Sequence, residues 1–179
     1  SKAHSAFRNS NKSGAMAAIP ETMKAVVNKP SGSTVVYGVA DVPTPTITGE
    51  KDLIIKMVAS PINPSDMGMV GMVGRFGGED GVVAGESPST VAAPLPEAAA
   101  GMFAGKTHLP CGSEGTGVVV AAGASAEAQA LIGKNVAGTF GGCYAQYAKT
   151  TYDAKMFAVV PDGTGAEGAS LFVNPLTVV

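Results

Sequence analysis

The chain has 179 residues, with 12 Lys and Arg against 14 Asp and Glu and a formal net charge of −2. That length suits one domain with arms, and the charge balance excludes the basic footprint of a nucleic-acid binder or a polybasic membrane anchor. The two Cys and two His lie far apart in sequence, so they supply neither a disulfide scaffold nor metal-ligand spacing.

Residues 1–22 read as a flexible arm. Lys2, Arg8 and Lys12 stand among Ser and Asn, with no acidic residue before Glu21. This is the composition of an organellar targeting segment, and equally of an ordinary disordered arm. No apolar run approaches the roughly 20 residues that span a bilayer. Trp is absent, so the core must be built mainly from small aliphatic side chains.

Residues 23–27 predict a first strand, ended by Asn28-Lys29-Pro30. Residues 34–42 predict a second, closed by Pro43 and Pro45, and residues 52–59 a third, stopped by Pro61 and Pro64. Proline pushes the residue before it towards extended geometry, so Ile62-Asn63 forms a stiff corner. Ser65 is then placed to cap a helical turn over residues 66–70. Residues 74–110, rich in Gly, Ala, Pro and Ser without a sustained period, read as a surface insertion with a short helix near 97–103. Strand patterns return at 117–122, 135–137, 143–149 and 155–160, between Gly-rich turns. Residues 166–173 read as a short helix, and Asn174-Pro175 restarts the chain into a second one.

Gly112-Ser113-Glu114-Gly115-Thr116-Gly117 imitates a phosphate loop. A phosphate cradle needs a strand, a loop and then a helix N-terminus, whereas a strand-like VVVAAG run follows here. The acidic residues are scattered, and Asp66 and Glu114 can meet only through the fold. Composition and spacing alone define a soluble β-rich domain.

Four features in order add a resemblance: Met23-Lys24-Ala25-Val26-Val27, then Ser60-Pro61-Ile62-Asn63-Pro64-Ser65-Asp66, then Gly112–Val119, then Asn174-Pro175-Leu176-Thr177. Gly141-Gly142-Cys143-Tyr144-Ala145-Gln146-Tyr147 and Pro161-Asp162-Gly163 fall between them. Together they resemble the medium-chain dehydrogenase/reductase superfamily, and within it the zinc-independent quinone oxidoreductases and enoyl thioester reductases. The resemblance implies a mainly β fold with short helices, a GroES-like barrel domain over residues 23–165. Residues 166–179 would begin a helical linker to a Rossmann domain that this chain lacks.

In that family NADPH lies between the two domains. Zinc-using members carry a Cys where this chain has Asn63 and a His where it has Ser113, so the resemblance implies no metal site. It places Asn63 and Thr177 in catalytic positions near nicotinamide and substrate. Asn63, Asn174 and Thr177 would contact the cofactor once a cofactor domain is supplied, with Asn174 shaping the hinge. Asp66 and Glu114 become supporting groups. Phe76 stands where enoyl reductases carry a donor tyrosine. The chain by itself is therefore expected to bind no cofactor and to act as a non-catalytic accessory subunit of a larger, organellar assembly. The alternative is the N-terminal part of an NADPH-dependent quinone or enoyl-thioester oxidoreductase. In either case the partner, another subunit or a Rossmann domain, would meet the 166–179 face, where Leu171, Phe172 and Leu176 need cover.

Overall fold

A computed structural model of the chain describes residues 18–64, 66, 83–84, 90–95, 97–153, 155 and 157–177. The expected cap at Ser65 and the position of Phe76 lie outside the described residues. The first two strands, β1 (Thr22–Ser31) and β2 (Thr34–Pro43), form a hairpin in continuous antiparallel register from Thr22↔Pro43 to Ser31↔Thr34. Its tight turn is possible because Gly32 takes a φ of +59°, a conformation that costs a glycine little. β1 runs further than expected, through Asn28, Lys29 and Pro30, because the ladder continues past the apolar run to the turn itself.

Strand β3 (Asp52–Ala59) has the predicted bounds. It is followed by β4 (Val83–Ala84), β5 (Thr90–Pro94), β6 (Leu109–Pro110), β7 (Gly115–Ala122), β8 (Asn135–Gly138), β9 (Tyr147–Thr151) and β10 (Phe157–Val159). One sheet has the order β4-β5-β2-β1-β6 and the other β10-β8-β7-β3-β9, with every pairing antiparallel. The helices are short: α1 (Glu97–Ala100), continued by a 3-10 turn at Gly101–Phe103, α2 (Ala126–Gln129) and α3 (Val173–Thr177). A 3-10 turn at Ala166–Ser170 precedes α3. The chain thus has the mainly β, GroES-like architecture that the resemblance implied.

Three differences from the sequence reading have physical causes. Within 74–110, residues 90–94 form a strand that pairs with β2 from Gly38↔Thr90 to Thr34↔Pro94, and Leu95 packs beside Val35, Phe103 and Leu109. TVAAP is too small and too regular to show a period, so tertiary pairing decides its state. Second, residues 143–146 bridge the two sheets rather than extending β9. Val26 N donates to Tyr144 O (2.7 Å), Ala25 pairs with Ala145, and Met57 N donates to Gln146 O (3.0 Å). Third, α2 was not anticipated; the Ser125 side chain caps it by accepting from Ala128 N at 3.2 Å.

The main core lies on one face of the second sheet, where Leu53, Ile55, Val119, Val136, Phe140 and Phe157 pack together. Phe157 meets Tyr152 and Phe140 edge-on, at centroid distances of 5.6 and 6.3 Å. Gly117 is required where β7 crosses β3, since a Cβ there would run into the Lys56 carbonyl and the Ile55 side chain. Among the described residues no helix is long and apolar enough to cross a membrane.

Both cysteines are free and buried. Burial pushes the Cys111 thiol up to about 11 and that of Cys143 up to about 12, so almost no reactive thiolate exists near neutral pH. Native protein treated with iodoacetamide is expected to keep its mass, and denatured protein to gain two adducts. Rapid alkylation of either thiol in the native state would contradict this packing.

Candidate functional site

The polar centre of the molecule is assembled around the corner after β3. The Asn63 N–H donates to Asp66 Oδ2 (2.9 Å) and the Asp66 N–H returns to Asn63 O (3.0 Å), closing a turn that begins at Asn63 and contains Pro64. Asn63 is 1% exposed, and its Nδ2 donates to Glu114 Oε1 at 2.9 Å. A carboxylate can only accept, so this bond fixes which end of the amide faces Glu114.

Glu114, also 1% exposed, lies at the entry to β7. Its second oxygen, Oε2, accepts from the backbone N–H of Phe172 (3.1 Å) and Val173 (2.8 Å), which begin α3. Such N–H groups have no partner within a helix, and a carboxylate complements both them and the helix dipole. The Ser60 hydroxyl holds the Glu114 carbonyl at 2.5 Å. One side chain therefore joins the corner, the start of β7 and the start of α3.

Asp66 organises the other half. Its Oδ1 accepts from Ser113 N (3.0 Å) and from the Ser113 hydroxyl (2.5 Å). The Tyr144 hydroxyl donates to Pro61 O at 3.0 Å. Burial, followed by the neighbouring Asp66 carboxylate, raises the pKa of Tyr144. Tyr37 is raised by burial first and then by the charges of Cys111 and Asp66. Both phenols thus stay protonated and able to donate near neutral pH. The Tyr144 ring sits against Gly112, whose φ of +89° and lack of a Cβ are both needed there: an added Cβ would lie 2.6 Å from the ring.

The structure brings Asn63 together with Glu114, and through it with α3, whose second and fifth residues are Asn174 and Thr177. The side chains of Asn174 and Thr177 lie outside the described residues. Leu171 and Leu176 are exposed, at 49% and 67%, as is Ile62 at 74%, whereas Phe172 is half-buried. Sequence reasoning quoted Ser60 and Tyr144 within motifs without assigning them roles, and it passed over Tyr37. The G-G-C-Y-A-Q-Y segment carried the signal for Tyr144. A cavity of about 250 Å³ lies elsewhere and is lined by apolar groups such as Met23, Val27, Val42, Pro110 and Tyr147. Among the described residues no three His, Cys, Asp or Glu side chains converge as a metal site requires.

Two antiparallel sheets, a corner carrying two prolines and a closing helix tied to it by a buried glutamate give this chain the architecture of the GroES-like domain of medium-chain dehydrogenases and reductases. Solved structures similar to it are quinone reductases, enoyl reductases and alcohol dehydrogenases. A protein from Mesorhizobium loti assigned as an NADPH:quinone reductase matches at 28% identity and a TM-score of 0.59, over 89% of this chain and 43% of its own. One from Bacillus thuringiensis with the same assignment matches at 24% and 0.55, over 87% and 39%. The CurK enoyl reductase shares the fold at 18% identity and 0.52, over 88% and 41%. The chain spans about two-fifths of the length of these proteins. No protein-family model and no curated protein matches its sequence.

Proposed function

We propose that this chain is the N-terminal part of an NADPH-dependent oxidoreductase that reduces a quinone or the double bond of an enoyl thioester, without catalytic zinc. The observation that carries the reading is the Glu114 bridge, which puts Asn63 and the segment bearing Asn174 and Thr177 at one place. The similarity to an NADPH:quinone reductase over most of the chain supports it.

The reduced nicotinamide, when bound, supplies a hydride. The described residues suit only that end of a dinucleotide. Gly112–Gly117 runs into strand β7 rather than a helix N-terminus, so the pyrophosphate finds no cradle there. A second domain, docking at the face of Ile62, Leu171 and Leu176, is required for it. Asn63 and Thr177 would orient nicotinamide and substrate, and the hydroxyls of Ser113 and Tyr144 are donors within the same cluster. Where zinc-using relatives of the family carry ligands, Asn63 and Ser113 offer an amide and a hydroxyl, each bonded to a carboxylate. Neither is a good zinc donor.

The test is NADPH oxidation by the intact native protein, with a quinone and with a trans-2-enoyl thioester offered separately. Turnover of one of them is expected, slowed about ten- to hundredfold by Asn63→Ala. Intact protein that neither binds nor oxidises NADPH would overturn the reading and favour the accessory-subunit role.

A further inference from the structure

We infer that Glu114 is a positioning residue that couples the Asn63 corner energetically to the start of α3, so that a change at either end is felt at the other. The carboxylate is buried, and the described ion pairs, Lys24–Asp41 and Lys149–Asp52, give it no cation. Its charge is held by three N–H donors: Asn63 Nδ2 on one oxygen, Phe172 N and Val173 N on the other. A buried carboxylate that loses one donor is underpaired and becomes a weaker anchor for the rest, because it then draws in water or turns towards it. Bonds sharing one buried charge are therefore not independent.

The direction of the coupling follows from chemistry. Strengthening the corner's hold on Oε1 fixes the carboxylate where Oε2 meets the helix start. Docking of α3 in turn fixes the end of the Asn63 amide that faces Glu114. Such coupling is reciprocal by thermodynamic necessity. The coupling itself needs only these hydrogen bonds. Its use in keeping Asn63 and Thr177 in register rests on the reductase reading, and the experiment below tests the coupling whether or not the reaction is found.

Amide hydrogen exchange in the full chain, followed residue by residue, reads the coupling directly. Asn63→Ala should speed exchange at Phe172 and Val173 about tenfold through the Glu114 carboxylate that all three share. Asn63→Asp, which sets a second carboxylate against Glu114, should speed it further. The double variant N63D/E114Q restores a donor facing an acceptor, since the new amide can give its N–H to the new carboxylate while its oxygen keeps the helix N–H groups. Exchange should then return to within a few-fold of the original. The Ala130 amide, bonded to Ala126 O in the short helix α2, exchanges by local opening away from the corner and should stay unchanged. Unchanged exchange at Phe172 and Val173 in the single variants would overturn the inference. So would an equal rise at Ala130, or a double variant as fast as Asn63→Asp.

Discussion

Leu53→Ala is expected to lower the free energy of unfolding by about 3 kcal/mol, read as a drop in the urea midpoint at an unchanged m-value. Leu53 is fully buried in the main core, on a strand with partners on both sides. Pairing with β7 and β9 holds the backbone of β3, so the space left by the side chain cannot close by collapse. The loss is a large part of the roughly 5–15 kcal/mol that a domain of ordinary stability possesses. A cost below about 1 kcal/mol would mean that β3 is not held between two paired strands.

Asp52→Ala is the second large effect, and it carries a pH signature. The Lys149 ammonium (2.8 Å) and the N–H groups of Thr48 (2.8 Å) and Gly49 (2.7 Å) all bind one carboxylate oxygen, and Thr151 donates to the other at 3.3 Å. Lys149, followed by those backbone N–H groups, holds the Asp52 carboxyl far below the usual range. Its folded pKa lies below its unfolded one, so the stabilisation is fully present above the ordinary carboxylate range. It is lost as pH falls from about 4 towards the folded value. Removing the side chain leaves two turn N–H groups without their acceptor and should cost about 2–3 kcal/mol near neutral pH. The variant should also show a flatter loss of stability below about pH 4 than the original protein. Parallel acid limbs in the two proteins would show that the carboxylate is not held in this way.

Most of the strands were legible because their residues satisfy two levels at once. DLIIKMVA is apolar, β-branched and closed by proline, so local preference and burial agree on β3. The hairpin was equally plain, its length excepted. The strand at residues 90–94 was hidden because Ala and Pro carry little preference of their own, and only β2 decides their state. The site divides the same way. Asn63 stood out through the prolines around it and the motif it completes. The bonds by which Glu114 and Asp66 tie the corner to β7 and α3 could not be seen in sequence, because those partners lie 47 to 59 residues away. What a carboxylate bonds at such a distance is a property of topology, not of spacing.

That topology also sets how the molecule must fold. β1 and β2 meet across a two-residue turn, so their hairpin can form within microseconds of collapse. β3, next along the chain, has to wait: one of its partners is β7, across the whole 60–114 segment, and the other is β9, with Asp52 opposite Thr151 at a separation of 99 residues. Closing loops of that size is slow compared with closing a hairpin. During synthesis β3, with Leu53, Ile54 and Ile55 all buried in the finished fold, therefore leaves the ribosome well before either strand that pairs with it. Its exposure over that interval makes it the segment with most to gain from a chaperone.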